Sequence, residues 1–239
     1  MTTATLTTAT LTTATMTHAL AVQSPSLLPF EQRVAMSYEE YLQIADELQL
    51  VEWIDGEVIV HMPPGTRHQQ IRAFLTTLLT MFVDHFHLGQ LLPAPFEMRL
   101  EHSAREPDIL FIATEHLGRL DAQRLRGPAD LVIEIVSPES VSRDRSEKFD
   151  EYQAGGVRDY WVIDVRPGQE RADFWLLDAS GRYRAVLPDA NEIVHATVLP
   201  GFWLDVALLW QNPLPSALSA FAEIVDLPMS VRRLLQPRS

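Results

Sequence analysis

Apolar positions recur at helical spacing over 67–86, where Ile71, Leu75, Leu78, Leu79 and Phe82 share a face. A second helix is predicted over 37–48. Ser37 followed by Glu40 makes a capping box, and Tyr38, Tyr41, Leu42 and Ala45 line one side. Apolar runs at 50–54 and 57–60 flank Asp55-Gly56, a strong hairpin signal. Residues 96–100 alternate like a strand with one wet face, and 108–113 reads as a shorter, more buried strand. The run 131–136 is apolar on both sides, as a central strand covered on both faces should be, yet it carries Glu134. A polar helix over 144–154, closed by Gly155-Gly156, precedes a strand at 159–164. Beyond it lie a hairpin over 172–187 turning at Ser180-Gly181, strands near 193–198 and 202–206, and a helix around 217–225 before Pro228.

The order from 67 to 165 is therefore helix, three strands, helix, strand, with 114–127 as a polar excursion. This predicts an α/β domain whose first two core strands pair antiparallel. The crossover helix should leave the strands around it parallel and right-handed. An N-terminal helix-hairpin and C-terminal hairpin strands are added to that core. Residues 2–16 repeat Thr-Thr-Ala-Thr-Leu/Met, which offers neither charge nor a core pattern. The chain is thus expected to divide into a disordered tail (1–30), one domain (31–212) and a helical extension (213–239).

Composition constrains the function. Apolar residues make up 46%, enough for a real core, and there is no cysteine, which excludes disulfides and thiolate metal sites. The net charge of −13 opposes nucleic-acid binding, since phosphate contacts supply much of that affinity. Local charge counts for more, and Arg119, Arg124, Arg126, Arg143, Arg145, Lys148 and Arg158 surround the key segment in sequence. No run is long enough to span a membrane and no basic n-region precedes an apolar stretch, so a cytoplasmic protein without membrane partners is expected.

The candidate chemistry lies between 107 and 152. A carboxylate at 134 amid apolar neighbours is costly to bury unpaired. Either a divalent cation compensates it, as Mg²⁺ does with one or two carboxylates, waters and phosphate, or a buried pair with Lys148 or an arginine serves the fold alone. Asp108 is either a turn residue at a strand entrance or, beside Glu134, a second carboxylate on the same ion. Lys148 either pairs with Asp144 on the helix surface or points at a scissile phosphate. Tyr152, one turn on, either hydrogen-bonds a phosphate or packs. Glu52 is a weaker candidate ligand. His68 opens the 67–86 helix, where an anion is favoured, although a lone histidine there is more often a cap or surface residue. His85 and His87 lack zinc spacing. No Walker loop, G-x-G-x-x-G, H-E-x-x-H or G-x-S-x-G occurs, and Ser137 and Ser140 have no base at a recognised spacing.

Several segments together resemble the Uma2 restriction endonuclease family of the PD-(D/E)XK nuclease superfamily. They are Val51-Glu52-Trp53-Ile54-Asp55-Gly56-Glu57, His68, Pro107-Asp108-Ile109, the run 128–138, Arg143-Asp144 with Lys148 and Tyr152, and the run 156–164. The resemblance covers about 37–210. It implies a restriction-endonuclease-like core and a Mg²⁺- or Mn²⁺-dependent endonuclease acting on DNA, with Asp108 and Glu134 as the metal-binding acids. The superfamily lysine two residues after the acid is replaced here by Val136, so Lys148 on the following helix would be its migrated substitute, assisting attack by water. A homodimer suits the cutting of two strands. A third reading is a metal-dependent hydrolase acting on another phosphodiester, such as RNA. The rival expectation is a catalytically silent nuclease fold kept for binding or regulation, which the acidic balance favours.

Overall fold

The computed structural model describes residues 31–44, 51–61, 63–137 and 143–235. The threonine repeat, Ser140 and the end of the first expected helix lie outside the described residues.

The central sheet has six strands. In spatial order they are 183–186 (β12), 171–177 (β11), 159–164 (β10), 131–136 (β9), 109–113 (β7) and 89–93 (β4). β9 and β10 are parallel, joined through helix α3 (Lys148–Gly155), as the crossover rule requires. β7 runs antiparallel to both β4 and β9. Helix α2 (Thr66–Phe86) covers one face. Its buried residues Ile71, Leu75, Leu78, Leu79 and Phe82 meet Ile109, Phe111, Leu131, Ile133 and Ile135. Helix α4 (Ala217–Ile224) adds Ala220 to the same cluster. α3 covers the other face, where Leu110, Ile112, Val132, Val136 and Tyr160 pack with Tyr152. Gly156, with φ 87°, ends α3 in the left-handed conformation that glycine adopts without strain.

A second six-stranded sheet packs beside α3. Its order is β1 (31–35), β3 (57–61), β2 (51–54), β6 (103–105), β5 (97–99) and β8 (124–126). β2 and β3 form the Asp55-Gly56 hairpin. Helix α1 (Tyr38–Ile44) is opened by the expected box: Ser37 N donates to Glu40 Oε2 at 2.9 Å and Glu40 N to Ser37 Oγ at 3.2 Å. β13 (193–195) and β14 (203–205) form a separate pair.

The structure corrects one element. The stretch 96–100 does not supply the first strand of the central sheet. Its residues 97–99 belong to the second sheet, and Gly89–Pro93 takes the central position. Gly89 explains how: a Cβ there would sit 2.0 Å from the Ile112 carbonyl oxygen, so only glycine lets β4 close onto β7. Pro93 is tolerated because β4 is an edge strand.

The chain crosses from the second sheet to the central one between β6 and β7, that is, over Arg105-Glu106-Pro107-Asp108. These residues therefore stand at the seam between the sheets.

Candidate active site at the junction of the two sheets

Antiparallel register builds the seam. The β7–β9 pairing Ile109↔Ile133, carried one step further, sets Asp108 opposite Glu134. The β2–β6 pairing Trp53↔Ala104, carried one step further, sets Glu52 opposite Arg105. α3 then brings Lys148, Glu151 and Tyr152 over both pairs. A π-helical turn at Arg143–Glu147 leads into it.

Lys148 is 3% exposed and is no surface residue. Its Nζ lies 2.8 Å from Glu134 Oε1 and 3.5 Å from Glu52 Oε1. Tyr152, fully buried, donates its hydroxyl to Glu134 Oε1 at 2.8 Å. Burial, reinforced by the Glu134 charge, raises the Tyr152 phenol well above its ordinary pKa and keeps it a donor. Glu52 accepts from the Glu106 amide at 3.1 Å through Oε1 and from Arg105 Nη1 at 3.1 Å through Oε2. Four of the anticipated residues, Glu52, Glu134, Lys148 and Tyr152, thus form one connected buried network.

Asp108 is held from a different side. Its Oδ2 accepts from the Ile135 amide at 2.8 Å and lies 3.1 Å from His68 Nε2. His68 is buried at the start of α2, neither a cap nor a surface residue, and ties that helix to the seam. No direct contact joins Asp108 to Lys148. Its place in the site comes from its position across from Glu134.

Two residues here lack any local sequence signal. Arg105, 1% exposed, bridges Glu52 and Glu151. Glu106 is half-buried with its carboxyl pushed up to about 7, first by burial and then by Glu52 and Glu97, against a smaller opposite pull from Lys148. One compositional signal points to the site. Lys148 is the single lysine of a chain whose other basic residues are all arginine. Lysine and arginine are not interchangeable, the compact ammonium being a point charge where the guanidinium is a planar fork.

The arginines expected to make the neighbourhood positive are largely engaged. Arg124 pairs with Glu97 at 2.9 Å, Arg126 with Asp121 at 3.0 Å, and Arg145 with Asp173 at 2.6 Å and Asp164 at 3.1 Å. Arg119 donates to the Pro128 carbonyl at 3.2 Å. The positive potential they offer a polyanion is correspondingly reduced.

The donor set suits a hard cation. Two carboxylates, one on β9 and one just before β7, could supply oxygen ligands, and Asp108 keeps Oδ1 outside the hydrogen bonds made by Oδ2. Among the described residues, no group of three or more acids or histidines is arranged around a common point. Mg²⁺ is commonly held by one or two carboxylates, with waters and substrate phosphate completing the shell, so two acids are sufficient.

Residues 38–207 match the family model Uma2, described as "Putative restriction endonuclease". Among solved structures, the chain is similar to a protein described as a putative nuclease belonging to DUF820 from Anabaena variabilis ATCC 29413. The identity is 16% and the TM-score 0.59, over 72% of this chain and 96% of that one. At that identity the likeness bears on the fold, which is the α/β restriction-endonuclease-like one. No curated protein matches the chain. No helix among the described residues is long and apolar enough to cross a membrane.

Proposed function

The chain belongs to the Uma2 family, and on that footing we propose that it is a divalent-metal-dependent endonuclease hydrolysing DNA phosphodiester bonds. The observation that carries this reading is the seam itself: Asp108 opposite Glu134, with the only lysine converging on Glu134 from the crossover helix. Asp108 and Glu134 would hold the ion, Mg²⁺ or Mn²⁺. When bound, such an ion lowers the pKa of a water and offsets charge on the leaving oxygen. His68 and the Ile135 amide fix Asp108 through Oδ2. Tyr152 fixes Glu134, its hydroxyl occupying one lone pair of Oε1. Lys148 offers a positive charge to the phosphate as negative charge builds in the transition state, and Glu52 holds that ammonium from its other side.

The test is nicking of supercoiled plasmid in Mg²⁺ by wild type and by Asp108→Ala. Cleavage by the wild type alone is expected, and equal activity in the two removes the assignment. Parallel assays on RNA define the substrate. The rival reading, a nuclease fold kept for binding or regulation, draws on the −13 charge and on the engaged arginines. It predicts no calorimetric heat with millimolar Mg²⁺ or Mn²⁺ and no cleavage of any nucleic acid.

A further inference from the structure

We infer that Arg105 is a positioning residue of this site: one buried guanidinium fixes, by two arms, where the Lys148 ammonium sits against Glu134. The first arm runs through Glu52. Arg105 Nη1 binds Glu52 Oε2 at 3.1 Å, which turns Oε1 toward Lys148 Nζ at 3.5 Å. The second runs through Glu151. Arg105 Nε and Nη2 bind Glu151 Oε2 at 2.9 and 2.5 Å, and the Ser103 hydroxyl donates to the same carboxylate. Glu151 lies three residues after Lys148, on the same side of α3, so the guanidinium grips the helix that carries the ammonium.

The chemistry of the fork makes the arrangement specific. Arginine presents several donors in a rigid plane and can bind two carboxylates at fixed angles, which a lysine at 105 could not do. The charges also require it. Glu52 and Glu134 both face Lys148, and Glu52 and Glu151 both face Arg105, so three carboxylates share two buried positive charges. Arg105 supplies the second positive charge and takes most of Glu151 and half of Glu52. Without the buried guanidinium, Glu52 would be left to Lys148, drawing the ammonium away from Glu134, and Glu151 would lose its hold on the second sheet. Among the described residues, no hydrogen bond or ion pair links Arg105 to Glu134 or Asp108, so its influence passes through the residues it holds.

The single lysine provides a direct reading. In ¹⁵N-labelled protein, the Lys148 ammonium is the only side-chain ammonium signal, and a buried group held by two carboxylates exchanges slowly enough to be seen at low temperature. The variants are Arg105→Gln and Glu151→Gln. The second keeps the protein folded should loss of the buried arginine unfold it, because Glu151 lies at the edge of the network with 19% of its side chain exposed. The expected result is loss of the ammonium signal to solvent exchange in each folded variant. Leu75→Ala, a destabilising change on the opposite face of the sheet, retains it. The kinetic arm rests on the endonuclease reading: kcat falls roughly 10²-fold with KM for DNA within about twofold, as for a misplaced catalytic group. A folded Glu151→Gln protein with the wild-type ammonium signal, or with wild-type kcat, overturns the inference. A wild type that cuts no nucleic acid defeats the endonuclease reading instead, and the ammonium signal still decides the role of Arg105.

Discussion

The two faces of β9 are built from the same six residues and have opposite characters. Leu131, Ile133 and Ile135 point at α2 into an apolar layer. Val132, Glu134 and Val136 point at α3, where tyrosines, a lysine and three glutamates accompany the apolar side chains. The first face is ordinary core, worth roughly 25 cal/mol for each Å² of apolar surface it removes from water. The second buries ions, and a buried ion pair is weak evidence for stability because desolvation offsets most of its attraction. A fold that needed only stability would have continued the hydrocarbon pattern at 134. On the proposed function, the polar face is where stability is given up for chemistry, and the seam between the sheets is where the backbone delivers the partners.

That contrast can be broken by substitution. The largest effect should be Glu134→Gln, which keeps shape and removes charge: cleavage should fall on the order of 10²–10³-fold in a plasmid assay. Its opposite number is Ile133→Ala. It should destabilise by about 2–5 kcal/mol in urea unfolding while leaving the rate per folded molecule unchanged. If the two exchanged signatures, the division of the faces would be wrong.

Next is the pH dependence of Glu106. Burial raises its pKa from 4.5 to about 7, so the folded protein holds that proton more tightly than the unfolded chain does. Its stabilisation is complete below pH 4.5 and is lost as pH rises through 7. Between those limits wild type should lose up to about 3 kcal/mol relative to Glu106→Gln. Urea titrations of both proteins in chelator measure the difference, and parallel curves would refute it. Asp159, raised to about 6 mainly by burial, tilts both curves in the same direction and cancels in the comparison. The smallest effect is Tyr152→Phe, which removes one hydrogen bond to a charged acceptor and should destabilise by about 2 kcal/mol. An unchanged unfolding midpoint would mean that the tyrosine merely packs.

Much of this was legible in the residues, for reasons that differ by element. α2 carries its period over 21 residues, and β9 announces itself as a run too apolar for an edge, with one misplaced acid. The Ser37–Glu40 box and the Asp55-Gly56 turn are local chemistry and need no tertiary information. β4 was hidden because an edge strand is only half-buried, and Leu91-Leu92 between Gly89 and Pro93 is too short to show a period. β6 and β8 have three residues each, below the length at which alternation is visible, while the alternation around β5 shows a strand but not the sheet it joins. Within the site, Glu134 betrayed itself by burial among hydrocarbons. Arg105 and Glu106 could not, since their importance comes from a crossing between two sheets that no local pattern encodes. His68 needed the third dimension for the same reason: its partner is Asp108, on a different element.

The central claim is that Asp108 and Glu134, brought opposite one another by strand register, together hold one divalent cation. The most direct measurement is a calorimetric titration with Mn²⁺, made in parallel on wild type, Asp108→Asn and Glu134→Gln. The account predicts a single site saturating at or below millimolar metal in the wild type and lost in both variants. Equal binding by all three, or no binding by the wild type, would contradict it.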